Sequence, residues 1–152
     1  MNRDEFYMKK ALLEAKKAAD KGEVPVGCVI VYNDKIIARG HNKRETTQNS
    51  ISHAEVIAIQ KACKKLGSWR LENCTMYITL EPCCMCGGAI IQSRLPRVIY
   101  GAFDYRFGVH MSKFNLFDIK FNHQTVVKGG VLEKECSKII SDFFKEVRDS
   151  KK

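Results

Sequence analysis

His53, Ala54 and Glu55, and further on Pro82, Cys83, Cys84, Met85 and Cys86, place an imidazole, three thiols and a carboxylate in two short segments. A histidine with a Cys-x-x-Cys pair supplies three metal-ligand groups. Three protein ligands leave the fourth tetrahedral position of a zinc ion open for water, which marks a catalytic site rather than a structural one. Zinc lowers the pKa of such a water to roughly 7. A carboxylate two residues from the ligand histidine is placed to take and return the proton. His53, Cys83 and Cys86 are therefore the expected ligands of one Zn2+ per chain, and Glu55 is the expected catalytic group.

The spacing dictates the elements that must hold these groups. Cys83 and Cys86 are three residues apart and share one face of a helix. Pro82 suits the first position of that helix, where a missing N–H costs little. Thiolates are favoured at a helix N-terminus by its free N–H groups and its dipole. His53 opens a second helix through Ala54, Val56, Ile57, Ala58 and Ile59. Two helix starts meeting at one ion account for a site drawn from distant parts of the chain. A redox Cys-x-x-Cys pair is the competing reading, but it leaves His53 and Glu55 without a role. Cys84 points off the shared face, and burial or partial exposure is expected for it.

The remaining pattern supplies a scaffold. Tyr7, Met8, Ala11, Leu12, Ala15, Ala18 and Ala19 fall on one arc of a helix from Arg3 to Asp20, and Gly22 ends it. Val24 to Tyr32 is apolar on both faces, as in a central strand. Asn33 and Asp34 turn the chain into a strand from Lys35 to Gly40. A polar loop from Asn42 to Ser52 delivers His53, whose helix runs to Leu66. A strand from Thr75 to Leu80 delivers Cys83, whose helix runs to Ser93. Further strands are expected over Arg97 to Tyr100 and Gln124 to Lys128, with a working loop from Gly101 to Met111. Leu132, Cys136, Ile139, Ile140, Phe143, Phe144 and Val147 form the apolar stripe of a last helix, ending near Arg148. Lys145, Arg148, Lys151 and Lys152 suit its C-terminal end and equally suit phosphates. The expected fold is α/β: a single domain over residues 1–152, with a mixed sheet of about five strands between two helical layers.

Composition sets the surroundings. The chain has 152 residues, 45% apolar, enough for one domain with a full core. No run of about 18 apolar residues is present, so no membrane span is expected. Met1 to Glu5 has no apolar stretch after a basic start, so the N-terminus is not a secretory signal and a cytoplasmic location is expected. Of seven cysteines, Cys28, Cys63, Cys74 and Cys136 sit in apolar patterns and are expected as small buried hydrophobes. A net charge of +9 points to an anionic partner, nucleic acid first, although the lysines are spread along the chain.

These motifs give the chain a resemblance to the bacterial tRNA-specific adenosine deaminases of the cytidine deaminase-like superfamily. It covers nearly the whole chain: Gly22-Glu23-Val24-Pro25-Val26-Gly27, Gly40-His41-Asn42, His53-Ala54-Glu55, Thr79-Leu80-Glu81-Pro82-Cys83 with Met85-Cys86, Gly101-Ala102-Phe103-Asp104, Phe121-Asn122-His123 and Asp142-Phe143-Phe144. The resemblance implies the cytidine deaminase-like form of the α/β/α sandwich. It also implies attack of an activated water on C6 of the wobble adenosine in a tRNA anticodon stem-loop, leaving inosine. Substrate contacts are implied for Asn42, the Ala54 N–H, Asp104, Arg106, Phe144 and Arg148, and the implied assembly is a homodimer. Phe144 lies on the apolar stripe and suits core packing equally well.

The chain departs from the family after Asp104. A Lys and a run of small residues are replaced by Tyr105-Arg106-Phe107-Gly108-Val109-His110-Met111-Ser112, which keeps one positive charge and adds bulk. Two alternatives share the zinc site: a deaminase of a free nucleobase or nucleoside, of guanine or cytosine type, and a catalytically silent, zinc-containing RNA-binding subunit. Glu55 argues against the silent subunit.

Overall fold

A computed structural model describes residues 1–151, with Lys152 outside the described residues. Helix α1 spans Arg3–Asp20, opened by a capping box in which Asn2 and Glu5 satisfy each other's backbone N–H groups. Strands β1 (Gly27–Tyr32) and β2 (Lys35–His41) form the expected hairpin. Asn33 and Asp34 both take positive φ, 50° and 60°, as a two-residue hairpin turn demands. Next come α2 (Arg44–Thr47), α3 (Ala54–Leu66), β3 (Cys74–Leu80), α4 (Cys84–Gln92), β4 (Arg97–Ala102), a 3-10 turn (Leu116–Asp118), β5 (Val126–Lys128) and α5 (Glu133–Ser150).

The five strands lie in the order β2-β1-β3-β4-β5. β1 is antiparallel to β2 and β3, while β3, β4 and β5 run parallel. The sheet is therefore mixed, as expected. Tyr7, Met8 and Ala11 of α1 and Cys136 of α5 pack with Val29, Val31, Tyr77 and Ile99 on one face. Ala54, Ala58 and Ala62 of α3 and Ile90 and Ile91 of α4 pack with Cys28, Ile30, Met76 and Ile78 on the other. β1 and β3 are largely buried on both faces and are mostly apolar for that reason, with buried Thr79 accepting from the Gly27 N–H.

Several local expectations are corrected. β1 begins at Gly27 rather than Val24, because the Val26 N–H turns back to the Val24 carbonyl at 2.9 Å, and β5 begins at Val126 rather than Gln124. The polar loop after Asn42 contains the one-turn helix α2. α4 starts at Cys84, one residue later than expected, with Cys83 as its N-cap and Pro82 just before the cap. The stripe on α5 is only partly covered, since Cys136 alone is fully buried there. Cys28, Cys74 and Cys136 are buried, Cys63 is half-buried, and Cys84 is exposed.

The N-terminus of α1 is fastened to the sheet by Asp4. Its carboxylate meets Arg97 at 2.9 Å and accepts from the Tyr77 hydroxyl at 2.8 Å. Burial pushes the Asp4 carboxyl up, but the bonds and charges of Arg97, Tyr77 and Lys128 outweigh it and hold it below its ordinary value. A lowered folded-state pKa adds stability above the unfolded value, and that stability is lost as pH falls through the folded one. Arg97 is partly exposed and screened, so Asp4→Asn should lower stability by only ~1 kcal/mol at neutral pH. Urea unfolding should show the difference closing as the medium becomes more acidic than pH 4.

Candidate active site

The register brings four chain segments to one end of the sheet. Gly27 pairs with His41, Cys28 with Ile78, and Leu80 with Ala102. Val26, Asn42, Glu81 and Phe103 therefore leave the sheet side by side, at the carboxyl ends of β2, β3 and β4. Open α/β sheets bind ligands at such strand ends. A cleft of about 820 Å³ opens there.

Two helices start at the cleft floor. His53 is the N-cap of α3 and Cys83 the N-cap of α4, both with extended backbone. Cys86 follows in the first turn of α4. α3 reaches its position because Gly40 has no side chain: a Cβ there would lie 2.5 Å from the Ala54 carbonyl oxygen and 3.0 Å from the Ala58 nitrogen.

His53 Nδ1 lies 3.7 Å from Cys83 Sγ and 3.5 Å from Cys86 Sγ, and the three ligand atoms all fall within 4.8 Å of one another. Ligand atoms of a tetrahedral zinc bound through nitrogen at ~2.05 Å and sulfur at ~2.3 Å stand on the order of 3.5 Å apart. The donor set and its spacing therefore fit a zinc ion. His53, Cys83 and Cys86 are the metal-compatible group of this kind among the described residues, and exposed Cys84 is not part of it.

The electrostatics suit a cation. The hydrogen bond with Cys86 comes first among the causes that hold the Cys83 thiol at about 4, and the His53 bond adds to it. The same bond and burial push Cys86 well above the ordinary thiol range. The bond to Cys83 likewise raises His53. These shared protons are what a divalent cation would displace. Glu55, buried in the first turn of α3, is pushed up to about 7, chiefly by burial. It can hold or release a proton at neutral pH.

Helix α5 lines one side of the cleft through Ser137, Ile140, Ser141 and Phe144, and buried carboxylates fasten the α2 segment and the loop after Phe103. Glu23 accepts from the Glu45 and Thr46 N–H groups at 3.1 and 2.6 Å, which fixes α2 and sets Arg44 on one wall. Glu81, 2% exposed, accepts from the N–H groups of Asp104, His110, Met111 and Ser112 and from the Ser112 hydroxyl. Burial pushes both carboxyls up, yet these bonds leave both below the ordinary value. Val109 is buried and His110 Nδ1 lies 2.7 Å from the Tyr100 hydroxyl, so these two bulky residues of the altered loop face inward.

The expected substrate-contact residues are mostly brought together. Asn42, Ala54, Asp104, Arg106 and Phe144 line the cleft, whereas Arg148 lies outside the lining, exposed one turn further along α5. Phe144 is 41% exposed on the cleft wall, not in the core. Asn42 accepts from the Arg44 N–H at 3.2 Å and donates to the Val24 carbonyl at 3.4 Å. Asp104 accepts from the Arg106 and Phe107 N–H groups and shapes its own loop. Sequence reasoning missed Arg44, Glu23 and Glu81 as builders of the site. A charged residue inside an otherwise apolar strand ending, as at Leu80-Glu81-Pro82, was the available signal for Glu81.

Fold and site together define a deaminase domain: the pattern of the MafB19-like deaminase family matches residues 1–148. A Bacillus subtilis protein named tRNA-specific adenosine deaminase is 56% identical over 153 residues, covering 100% of this chain and 95% of that one. A solved structure from work on A-to-I editing by tRNA deaminases at the wobble position superposes with a TM-score of 0.85 at 38% identity, over 88% of this chain and 98% of that one. The X-ray structure of guanine deaminase from Bacillus subtilis gives a TM-score of 0.64 at 43% identity, over 68% of this chain and 66% of that one. The chain belongs to the tRNA-specific adenosine deaminase family.

The fastening of the altered loop can be tested at Gly108. A Cβ there would run into the Glu81 carboxylate and lie 2.6 Å from the Asp104 carbonyl oxygen. Gly108→Ala should destabilise the protein by ~1–3 kcal/mol, the usual range for overpacking, as read by thermal or urea unfolding. An unchanged midpoint would mean that the loop yields freely.

Proposed function

We propose that this chain converts the wobble adenosine of a tRNA anticodon loop to inosine. The observation that carries the reading is the joining, in one cleft, of a His-Cys-Cys cluster with zinc spacing to a buried carboxylate poised near neutrality, in a member of this family. A zinc ion held by His53, Cys83 and Cys86 would supply the Lewis acidity that makes water nucleophilic near pH 7.

Glu55 takes one proton from that water and passes it to N1 of the adenine ring, so that the remaining oxygen can bond to C6. It then moves the second proton to the amine on C6. The C6–N bond breaks, ammonia departs and the oxygen stays as the inosine carbonyl. Asn42 and the Ala54 N–H hold the base edge from the cleft floor. Arg106, Phe144 and Arg148 meet the neighbouring anticodon nucleotides, and Asp104 holds the loop that carries Arg106. Bases of an anticodon loop are already partly unstacked, which lowers the cost of drawing one into the cleft.

The reading includes a homodimer. It is supported by the large apolar side chains that one chain leaves exposed, Phe114, Ile119 and Phe121 among them. No helix among the described residues is long and apolar enough to cross a membrane, and a cytoplasmic location accompanies a tRNA substrate.

Mass spectrometry of an anticodon stem-loop with adenosine at position 34 should show inosine, with no turnover of free adenosine, guanine or cytidine under the same conditions. Turnover of guanine alone would move the chain to the free-base deaminases, a class its 43% identity to guanine deaminase makes worth assaying.

Glu55→Ala should lose at least ~10²–10⁴-fold in rate while keeping one zinc per chain. His53→Ala, Cys83→Ala and Cys86→Ala should lose zinc and unfold more readily, and Cys84→Ala should do neither. Metal content and inosine yield, measured on the same preparations, check all five variants.

A further inference from the structure

We propose that Tyr105 and Phe107, on the rim of the cleft, form a stacking platform for the unpaired nucleotides that flank the target base. The inference rests on the RNA-editing reading and deepens it, by naming what grips the RNA on either side of the reacting nucleotide.

Both rings are unusually open. Tyr105 is 76% and Phe107 62% exposed, yet both line the cleft that holds His53, Glu55 and Cys83. Exposed aromatic rings at the mouth of a site carry a hydration cost that a ligand relieves. Nor do they sit on a loose segment. Asp104 Oδ1 accepts the Arg106 and Phe107 N–H groups at 3.2 Å each, and Gly108 N–H donates to the Asp104 carbonyl at 2.8 Å. Beyond them Glu81 grips the backbone of His110, Met111 and Ser112, while Val109 is buried in the core. The loop is bolted down at both ends, and its two rings are left facing outward.

The surroundings select the occupant. The Arg106 guanidinium lies 6.0 Å from the Phe107 ring centroid, Arg44 lines the same cleft, and the chain carries a net charge of +9. Rings interleaved with guanidinium groups match a strand whose bases present flat π-faces and whose backbone is anionic. An apolar protein surface would satisfy the rings but offer the guanidinium groups no anionic partner. Stacking tolerates any base, so this rim adds affinity for single-stranded loop nucleotides without fixing their identity.

The test uses zinc-loaded full-length protein and an anticodon stem-loop with adenosine at position 34. Tyr105→Ala and Phe107→Ala should each weaken binding about tenfold, within the range typical of one lost base stack. Saturating single-turnover rates should hold, so that KM rises while kcat does not fall. Phe107→Trp should retain affinity and Phe107→Leu should lose it, which separates stacking from mere bulk. Replacing a flanking nucleotide by an abasic residue should weaken the wild type and cost the matching alanine variant nothing more.

Unchanged affinity in both alanine variants would overturn the proposal. So would equal behaviour of Phe107→Trp and Phe107→Leu, or a shift in sedimentation showing that the rings hold two copies of this chain together. Failure of the wild type to form inosine would instead sink the RNA-editing reading itself. Inosine formation with indifferent variants would sink only the platform.

Discussion

Two helix N-termini must reach the same point for this site to exist, and the bare backbone at Gly40 is what permits it. α3 lies against β2 so closely that a single methyl group at Gly40 would strike the Ala54 carbonyl. That approach seats His53 beside Cys83 and Cys86, which arrive from β3, the central strand of the five. The helix ends then act on what they carry. Free N–H groups and dipoles favour anionic ligand atoms on the thiols. In Glu55 the backbone N–H works against burial, and burial wins, leaving a carboxyl near 7 rather than one fixed as an anion. The same helix start thus provides an imidazole of the metal-compatible cluster and, two residues on, a buried carboxyl raised to about 7.

The walls depend on a second constraint. A buried carboxylate is costly unless its oxygens are satisfied, and satisfying Glu81 takes four N–H groups and a hydroxyl. Those donors all come from one loop, so the charge dictates the loop's path. Glu23 does the same for α2 through two N–H groups on the facing side. The two non-helical stretches of the cleft edge are thereby held in place, beside the side of the cleft that α5 supplies. The grip uses mainly backbone N–H groups, with the Ser112 hydroxyl the one side-chain donor, so it leaves the side chains at 105, 107 and 109–111 free to vary. The bulky residues of 105–112 then divide between core anchors, Val109 and His110, and outward-facing rings.

Much of this was legible in the residues. Periodicity placed α1, the β1–β2 hairpin and α3 because each has a clear apolar rhythm, helped in the first two by turn residues where they are required, Gly22, Asn33 and Asp34. The ligand group was legible because imidazole and thiols at that spacing have few other uses. The tethers were not. Glu23 and Glu81 look like solvent-facing charges, and only the folded path reveals the N–H groups that surround them. α2 was hidden because four polar residues have no apolar rhythm, and Glu23 rather than a core face holds them. The stripe on α5 misled in the opposite sense. Its period is that of a buried face, yet Phe144 turns to the cleft, because a helix at the edge of the layer packs only its first turns on β4.

Rigidity of the protein shifts the burden of movement to the substrate. The floor is fixed by helix ends, the walls by α5 and by segments tied to buried carboxylates, and Glu55 is buried, out of reach of a base that stays stacked in a duplex. A nucleobase reaches Glu55 only when its own backbone can turn it outward, which unpaired loops do readily and helical stems do not. Selection for a loop therefore needs no base-specific contact. It follows from a stiff, recessed proton-transfer group and from a rim that rewards unstacked neighbours. Sequence preference within the loop is then a separate matter of the polar groups that line the cleft, Asn42 among them, and it can vary without disturbing the floor.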